Sequence, residues 1–156
     1  MSKKTKFSRQ AIIKFVNPSP LWLGDFNKFV YEKIETNLEY CLHNLHTCWD
    51  LPGGRHTFVD LAKKISDTSI ELNEDRTKKI KFFSSGYRED MIRVSAFRHK
   101  DLRTIRKDEY KDSRLVDDVY IAEDHNHRFT SYALRLIKNK DIGSIPVELY
   151  LGKFGE

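Results

Sequence analysis

One short stretch of the sequence, residues 124–128 (DHNHR), combines the side chains that proton transfer near a phosphate requires. Imidazole exchanges protons near neutral pH, and a neighbouring carboxylate can orient the ring or raise its pKa. The guanidinium of Arg128 can stabilise negative charge on an adjacent group. The stretch therefore predicts acid–base chemistry, with His125 and His127 as the candidate proton carriers.

Cleavage of RNA without a metal ion requires a base for the 2′-hydroxyl, an acid for the leaving oxygen and cations for the phosphate. His125 or His127 is the candidate acid, and Glu89 and Glu123 are the candidate bases. The arginines expected to stabilise phosphate charge are Arg88, Arg93 and Arg128. These residues predict a site for metal-independent RNA cleavage.

Residues 116–138 are predicted to form a β-hairpin with the DHNHR stretch at its tip. Apolar side chains that can share one face are Val119, Ile121, Phe129, Ala133 and Ile137, and those at alternate positions are Tyr120, Ala122, Tyr132, Leu134 and Leu136. Asp, His and Asn are also favoured in turns, where they form local hydrogen bonds. A hairpin tip of this composition needs no catalytic role, so a non-catalytic alternative stays open.

Helices are predicted early in the chain and strands later. One long helix is expected from about residue 23 or 25 to residue 49, and a second begins at the N-cap Thr57, three residues before Asp60. Further strands are expected at residues 69–72, 78–84, 90–97 and 146–151. The last is expected at a sheet edge, because Pro146 donates no backbone hydrogen bond. The predicted fold class is α+β, with N-terminal helices packed on a mainly antiparallel β-sheet.

The net charge of +5 is concentrated at the N-terminus. Five of the 28 basic residues and no acidic residue fall within the first 20 positions, and the remaining 23 basic residues are balanced by 23 acidic ones. Residues 1–20 are therefore predicted to form a basic arm that can contain a short strand at 10–16, and residues 21–156 a single α+β domain. Such an arm gains affinity for nucleic acid by neutralising phosphates, although a solvated terminus has the same composition.

A second basic stretch covers residues 98–114, with seven Lys or Arg against four Asp or Glu. Its mixed signs fit a solvated surface as well as a phosphate-binding one. The residues expected to contact nucleic acid are Lys3, Lys4, Lys6 and Arg9 in the arm, Arg98, Lys100, Arg103, Arg106 and Lys107 in this stretch, and Arg128.

The leading hypothesis is a small non-catalytic cytoplasmic protein that binds nucleic acid, RNA rather than DNA, or a nucleoprotein complex through its basic arm. The first alternative is a metal-independent endoribonuclease that uses His125, His127, Arg88 and Glu89. The second is a protein-binding inhibitor or adaptor, whose interface the aromatic residues can supply. No cofactor or metal is predicted, and no apolar run approaches the roughly 18–20 residues that span a membrane.

The two cysteines, Cys41 and Cys48, fall within the predicted long helix, where seven residues separate them by about 10.5 Å along the axis. A disulfide requires Cα atoms within roughly 7 Å, so reduced thiols in the cytoplasm are expected. His43 and His46 complete a pattern that resembles a metal-binding cluster. On one helix, however, the thiols and the imidazoles point in nearly opposite directions and cannot converge on one ion.

Residues 53–56 (GGRH) precede the predicted N-terminus of the second helix. Free amides and the helix dipole at such a position favour an anion, so the segment can hold a phosphate. Glycine-rich turns between helices also have a purely structural capping role, which is the preferred interpretation here.

Two short pieces of the sequence resemble the barnase-type ribonucleases. Residues 85–88 (SGYR) are similar to the Ser-Gly-aromatic-Arg element of that family, and residues 124–125 (DH) with 129–130 (FT) are similar to its terminal Asp-His and Phe-Thr stretch. The resemblance implies helices that precede a sheet and ribonuclease activity without a metal. The two pieces lie further apart than in the family, and Lys78 occupies the position of its catalytic glutamate. The resemblance therefore implies a differently built nuclease site or an inactive one.

Overall fold

The computed structural model of the chain describes residues 6–12, 16, 28–84, 87–139 and 141–154. The strands are β1 (Lys6–Ser8), β2 (Phe29–Asn37), β3 (Leu45–His46), β4 (Ile92–Arg98), β5 (Tyr120–Ala122) and β6 (Pro146–Phe154). The helices are α1 (Arg9–Ile12), α2 (Leu38–Asn44), α3 (Phe58–Ser66), α4 (Glu74–Ser84), α5 (His99–Ile105), α6 (Lys107–Tyr110) and α7 (Asn126–Leu136). The strands form one open sheet in the order β1-β2-β6-β4-β5-β3.

The directions of the strands are mixed. β2 pairs antiparallel with β6 over nine residues, whereas β4 runs parallel to β6 on its other side. Helices also alternate with strands along the chain instead of preceding them. The predicted α+β class, with N-terminal helices on a mainly antiparallel sheet, is therefore wrong. The reason is that β6 inserts between β2 and β4, and a local sequence pattern does not encode the long crossover that such parallel pairing requires.

Residues 116–138 do not form the predicted hairpin. Strand β5 ends at Ala122, and helix α7 follows after a short turn. Phe129, Ala133 and Ile137 recur at every fourth residue, which is the spacing of a helix face, and the first two are fully buried. The prediction assigned this helical period to a strand.

The long helix predicted over residues 25–49 is instead a strand followed by a short helix. Phe29 and Tyr31 of β2 are buried, and the residues between and after them are more exposed. Helix α2 starts after Asn37, whose side-chain oxygen accepts a hydrogen bond from the amide of Tyr40 at 2.9 Å. The prediction failed because apolar residues of two successive elements happen to fall on one helical stripe.

Cys41 lies in α2 and Cys48 lies beyond β3, so they do not share one helix as predicted. Both are free thiols, and burial raises the pKa of Cys41 to about 12 and that of Cys48 to about 11. The prediction that the thiols and the imidazoles point in opposite directions on one helix is therefore wrong in its premise. Within the described ranges, no group of three or more His, Cys, Asp or Glu side chains is arranged to hold a metal ion.

The strand predicted at residues 78–84 is the second half of helix α4. The ion pairs spaced i,i+4 along this helix are Glu74 with Lys78 at 3.4 Å and Asp75 with Lys79 at 3.2 Å. Such pairs favour a helix over a strand. The strands predicted at 69–72 and 10–16 are also wrong where the structure describes them, since the first segment connects α3 to α4 and α1 covers the start of the second.

Other local predictions are confirmed. Helix α3 follows Thr57, whose hydroxyl accepts a hydrogen bond from the amide of Asp60 at 3.2 Å. β4 covers most of the strand predicted at 90–97, and β6 begins at Pro146. β6 is nevertheless a central strand rather than the predicted edge strand, because a proline is tolerated at the first residue of a strand.

Each face of the sheet carries its own apolar core. Val147 and Leu149 of β6 pack into the core that includes residues of α2, α3 and α7, whereas Tyr150 belongs to the opposite core with residues of α1, α5 and α6. Helix α4 lies outside these layers, and its Ile80 packs in a smaller cluster with Trp49. Among the described helices, none has the length and apolar character that crossing a membrane would need.

Candidate functional site

A cleft of about 400 Å³ is formed by residues of helix α4 and of the start of helix α7. Its volume falls within the range of small-molecule pockets, roughly 300 to 1,000 Å³. The residues that line it are Lys79, Phe82 and Phe83 from α4, Asp124 and His125 from the turn, and Asn126, His127 and Arg128 from the first turn of α7. The DHNHR stretch therefore forms one wall of a cleft and not the tip of a hairpin.

The turn before α7 presents the start of the helix to this cleft. His125 is the N-cap residue, its backbone is left-handed with a φ of 69°, and its side chain forms no capping hydrogen bond. The first turn of α7 contains no acidic residue. Since the first amides of a helix and its dipole attract anions, this end of α7 favours a negatively charged ligand.

Asn126 fixes the position of that helix end. Its side-chain oxygen accepts hydrogen bonds from the Thr47 hydroxyl at 2.7 Å and from the Cys48 amide at 3.0 Å, and its side-chain nitrogen donates to the carbonyl of Ala122 at 3.3 Å. These bonds tie α7 to the end of β5 and to the segment after β3. Because its side chain is fully engaged in these contacts, Asn126 is a positioning residue and not a ligand-binding one.

Arg128 is held by a carboxylate on the side of the cleft. Its Nη1 lies 3.2 Å from Oε1 of Glu89 and 3.3 Å from Nε2 of His125. The Tyr132 hydroxyl donates to Oε2 of the same carboxylate at 3.0 Å, and the guanidinium carbon lies 5.3 Å from the centre of the Phe83 ring. The structure thus brings together three of the sequence-predicted site residues, His125, Glu89 and Arg128.

The arginine also defines the protonation of His125. Because a guanidinium only donates hydrogen bonds, Nε2 of His125 accepts and Nδ1 carries the hydrogen. Nδ1 is buried and has no hydrogen-bond partner among the described residues. Burial lowers the pKa of His125, and Arg128 adds to that effect, while Asp124 and Glu89 oppose it. The lowered pKa favours a neutral imidazole at pH 7, and its buried Nδ1 has no partner among the described side chains.

His127 lies on the other side of the helix start. Its ring packs edge-on against Trp49 with 4.9 Å between the ring centres, and the guanidinium of Arg76 lies 4.5 Å from the centre of the same indole. Burial is the largest cause that lowers the pKa of His127, followed by the positive charges of Lys79 and Arg76. Lys79 on α4 and Arg128 on α7 thus line the cleft, and Arg76 lies near His127 without lining it.

Other sequence-predicted site residues lie elsewhere. Arg88 does not line the cleft, and its guanidinium donates to the carbonyl of Asp141 at 2.9 Å. Lys3 and Lys4 lie outside the described residues, Lys6 is exposed in β1, and the backbone of Arg9 begins α1. Three strands separate β1 from β5 in the sheet, so the described part of the basic arm is not adjacent to the strand that leads into the cleft.

Three arginines of the second basic stretch are paired with carboxylates. The pairs are Arg98 with Asp101 at 3.0 Å, Arg103 with Asp117, and Arg106 with Glu109 at 3.0 Å. Lys100 and Lys107 are exposed. Because the neighbouring carboxylates offset the arginine charges, this stretch offers a weaker phosphate-binding surface than its composition indicates.

The glycine-rich segment before α3 has a structural role. Gly53 and Gly54 adopt positive φ angles of 88° and 105°, which other residues rarely tolerate. Arg55 is only 6% exposed, and it donates hydrogen bonds to the carbonyls of Cys48 and Glu109, each at 3.2 Å. The guanidinium therefore ties this segment to the carbonyls of Cys48 and Glu109.

Comparisons of the chain with family profiles, curated proteins and solved structures gave no match. The order of elements that the resemblance to the barnase-type ribonucleases implies is not found among the described elements. Residues 85–86 lie outside the described part of the chain, residues 129–130 are helical, and helices do not precede the sheet. The geometry of the cleft is therefore the basis for a functional proposal.

Sequence reasoning missed the α4 side of the cleft. Lys79, Phe82 and Phe83 were assigned to a strand, so nothing in the prediction brought them near the DHNHR stretch. The i,i+4 spacing of acidic and basic residues across the first half of α4 was the signal that could have placed them on a helix.

Proposed function

We propose that the protein binds RNA by holding a backbone phosphate in the α7 cleft. The observation that carries this proposal is that Lys79 and Arg128, from two different helices, line the same cleft as the start of α7. A lysine supplies a point charge and an arginine a planar set of donors, and both are common partners of phosphate oxygens.

The electrostatic balance of the cleft supports an anionic ligand of low charge density. Asp124 is the one carboxylate among the lining residues, and it is exposed to solvent, where its effect is screened. Glu89 lies outside the lining and pairs with Arg128, which orients the guanidinium and offsets part of its charge. A phosphodiester, with one charge, suits this balance. The basic arm at residues 1–20 remains a proposed second contact along the RNA.

The proposal is tested by measuring the affinity for a fluorescent single-stranded RNA in Arg128→Gln and Lys79→Gln variants. We expect Arg128→Gln to weaken binding about 10- to 100-fold, since hydrogen bonds to charged groups contribute about 1.5–3 kcal/mol. Each change should also reduce the salt dependence of binding by about one phosphate contact. Lys63→Gln, an exposed lysine on α3, is the matched control and should bind as the wild type does.

Arg128→Gln leaves Glu89 without its cationic partner, so folding must be checked separately. The double variant Arg128→Gln with Glu89→Gln removes both charges and keeps a polar contact in place. Thermal unfolding of the single and double variants separates lost stability from lost binding. An unchanged RNA affinity in a folded Arg128→Gln protein would refute the cleft as the RNA site.

A second candidate function is metal-independent RNA cleavage at the same cleft. The observation that favours it is that Glu89, Arg128 and a neutral His125 lie in contact at the cleft, and Nε2 of His125 can accept a proton when a substrate phosphate draws Arg128 away from it. We expect labelled single-stranded RNA to be cleaved in EDTA by the wild type and not by His125→Asn. Asn is the appropriate replacement because it tolerates the left-handed backbone at this position.

The His125→Gly variant provides a control for this experiment, since glycine also accepts the positive φ but offers no side chain. Cleavage that persists in both variants would exclude His125 from the reaction. A salt-sensitive mobility shift without any cleavage would leave RNA binding as the function.

The cytoplasm is the compartment that we propose. Cys41 and Cys48 are both free thiols, and burial raises the pKa of each, which keeps them protonated and unreactive. Unpaired cysteines of this kind suit a reducing environment.

A further inference from the structure

Phe82 is an unusual surface residue. Its side chain is 74% exposed, although it belongs to α4, a helix composed mostly of charged and polar residues. The buried face of that helix uses Ile80, so Phe82 is not needed for the core. Single exposed apolar residues are common, but this one also lines the α7 cleft together with Lys79 and Arg128.

The phenyl ring of Phe82 is the exposed end of a row of packed aromatic rings. It packs edge-on against Phe83 with 5.1 Å between ring centres and an interplanar angle of 88°. Phe83 in turn packs edge-on against Tyr87 at 5.0 Å and lies beneath the guanidinium of Arg128. The Phe83 ring thus contacts the guanidinium of Arg128, and the adjacent Phe82 ring is exposed to solvent.

We infer that Phe82 stacks against the base of an unpaired nucleotide whose phosphate is held at the start of α7. This inference rests on the proposed function and specifies its ligand. An aromatic ring beside cations is the arrangement by which proteins bind single strands, because every base has a π-face and each phosphate has a charge. In a duplex both faces of an internal base are covered by its neighbours, so the site selects unpaired nucleotides over duplex.

Two kinds of ligand contain a base together with a phosphate: a single-stranded RNA and a free nucleotide. The cleft volume of about 400 Å³ is that of a small-molecule pocket, and one nucleotide unit is therefore the part of either ligand that it recognises. The two sources differ in whether the phosphate is linked to further nucleotides.

The inference is tested by fluorescence anisotropy with three probes of one length: a single-stranded RNA, the same RNA annealed to its complement, and a strand in which all positions are abasic. The variants are Phe82→Leu, which keeps an apolar side chain but removes the ring, and Phe82→Trp, which keeps a ring. Tyr40→Leu is the matched control, since Tyr40 is an exposed aromatic residue of α2 that does not line the cleft.

We expect Phe82→Leu to weaken binding of the single strand about 5- to 150-fold and to leave binding of the abasic strand unchanged. Phe82→Trp, which keeps a ring, should bind the single strand at least as tightly as the wild type does. The control Tyr40→Leu should bind it with wild-type affinity. Wild-type protein should prefer the single strand to the duplex. Displacement of the probe by adenosine monophosphate would assign the site to a free nucleotide, and its failure to compete would assign it to a strand.

Two results would overturn the stacking inference. Equal binding of the duplex and the single strand would show that the base faces are not used. Unchanged single-strand affinity in Phe82→Leu, together with weakened binding in Arg128→Gln, would refute stacking but retain the phosphate site. If wild-type protein binds neither the single strand nor the abasic strand at low salt, the proposed function itself fails, and the inference fails with it.

Discussion

Replacing Phe129 with alanine is expected to destabilise the protein by about 3–5 kcal/mol, the range found when a buried phenyl group is deleted. Phe129 is fully buried on α7, where its ring packs edge-on against Phe58 at 5.3 Å and lies 5.5 Å from the ring of His125. Deletion of the ring leaves a cavity between α7, α3 and the turn that shapes the cleft. The loss is large compared with a typical total stability of about 5–15 kcal/mol.

The measurement is the free energy of unfolding in urea, compared with that of Phe82→Ala. The two substitutions remove the same atoms, but Phe82 is 74% exposed, so its replacement should change stability by less than about 0.5 kcal/mol. If Phe129→Ala were as stable as Phe82→Ala, the packing of α7 on α3 described above would be wrong.

Enlarging Gly152 is expected to have the second large effect. In β6 this glycine is the cross-strand neighbour of Tyr31 in β2 and of Phe97 in β4. A Cβ at this position would lie 2.8 Å from the Tyr31 ring, 3.0 Å from the Phe97 ring and 3.1 Å from the Phe29 ring, and all three rings are buried. We expect Gly152→Ala to cost about 1–3 kcal/mol by overpacking, and Gly152→Val to cost more.

Gly143→Ala is the control for the glycine substitution. A Cβ there would lie 3.1 Å from both Cβ and Oε2 of Glu39, an exposed residue, which is a milder contact than the 2.8 Å approach to a buried ring at Gly152. The unfolding midpoint in urea should therefore fall more for Gly152→Ala than for Gly143→Ala. Equal shifts for the two variants would contradict the tight packing of the three rings over β6.

Local signals were sufficient to predict some of the elements. The Thr57 and Asp60 spacing predicted the start of α3, and alternation predicted β4, because in both cases neighbouring residues determine the conformation. The partner of each strand could not be predicted in this way. β6 pairs with β2 and β4, and nothing within residues 146–154 specifies either neighbour.

The site was predicted in part for a similar reason. His125, Arg128 and Glu89 were identified because their side-chain types carry the chemistry, whatever element holds them. The residues that complete the cleft, Lys79 and Phe82, belong to a different helix and reach it only through the packing of α4 on α7. Because the prediction assigned a strand in place of α4, it did not place these residues beside α7, and one wall of the cleft was missed.

The position of β6 at the centre of the sheet also affects how fast the protein folds. β2 remains without its long antiparallel partner until the whole chain between Asn37 and Pro146 has been made and has folded back. Contacts of such high sequence separation slow folding, because loop closure costs entropy before pairing stabilises the sheet. During synthesis on the ribosome, the backbone groups of β2 that pair with β6 would stay unpaired until the last described strand emerges, and chaperones that bind exposed strands would have their longest opportunity there.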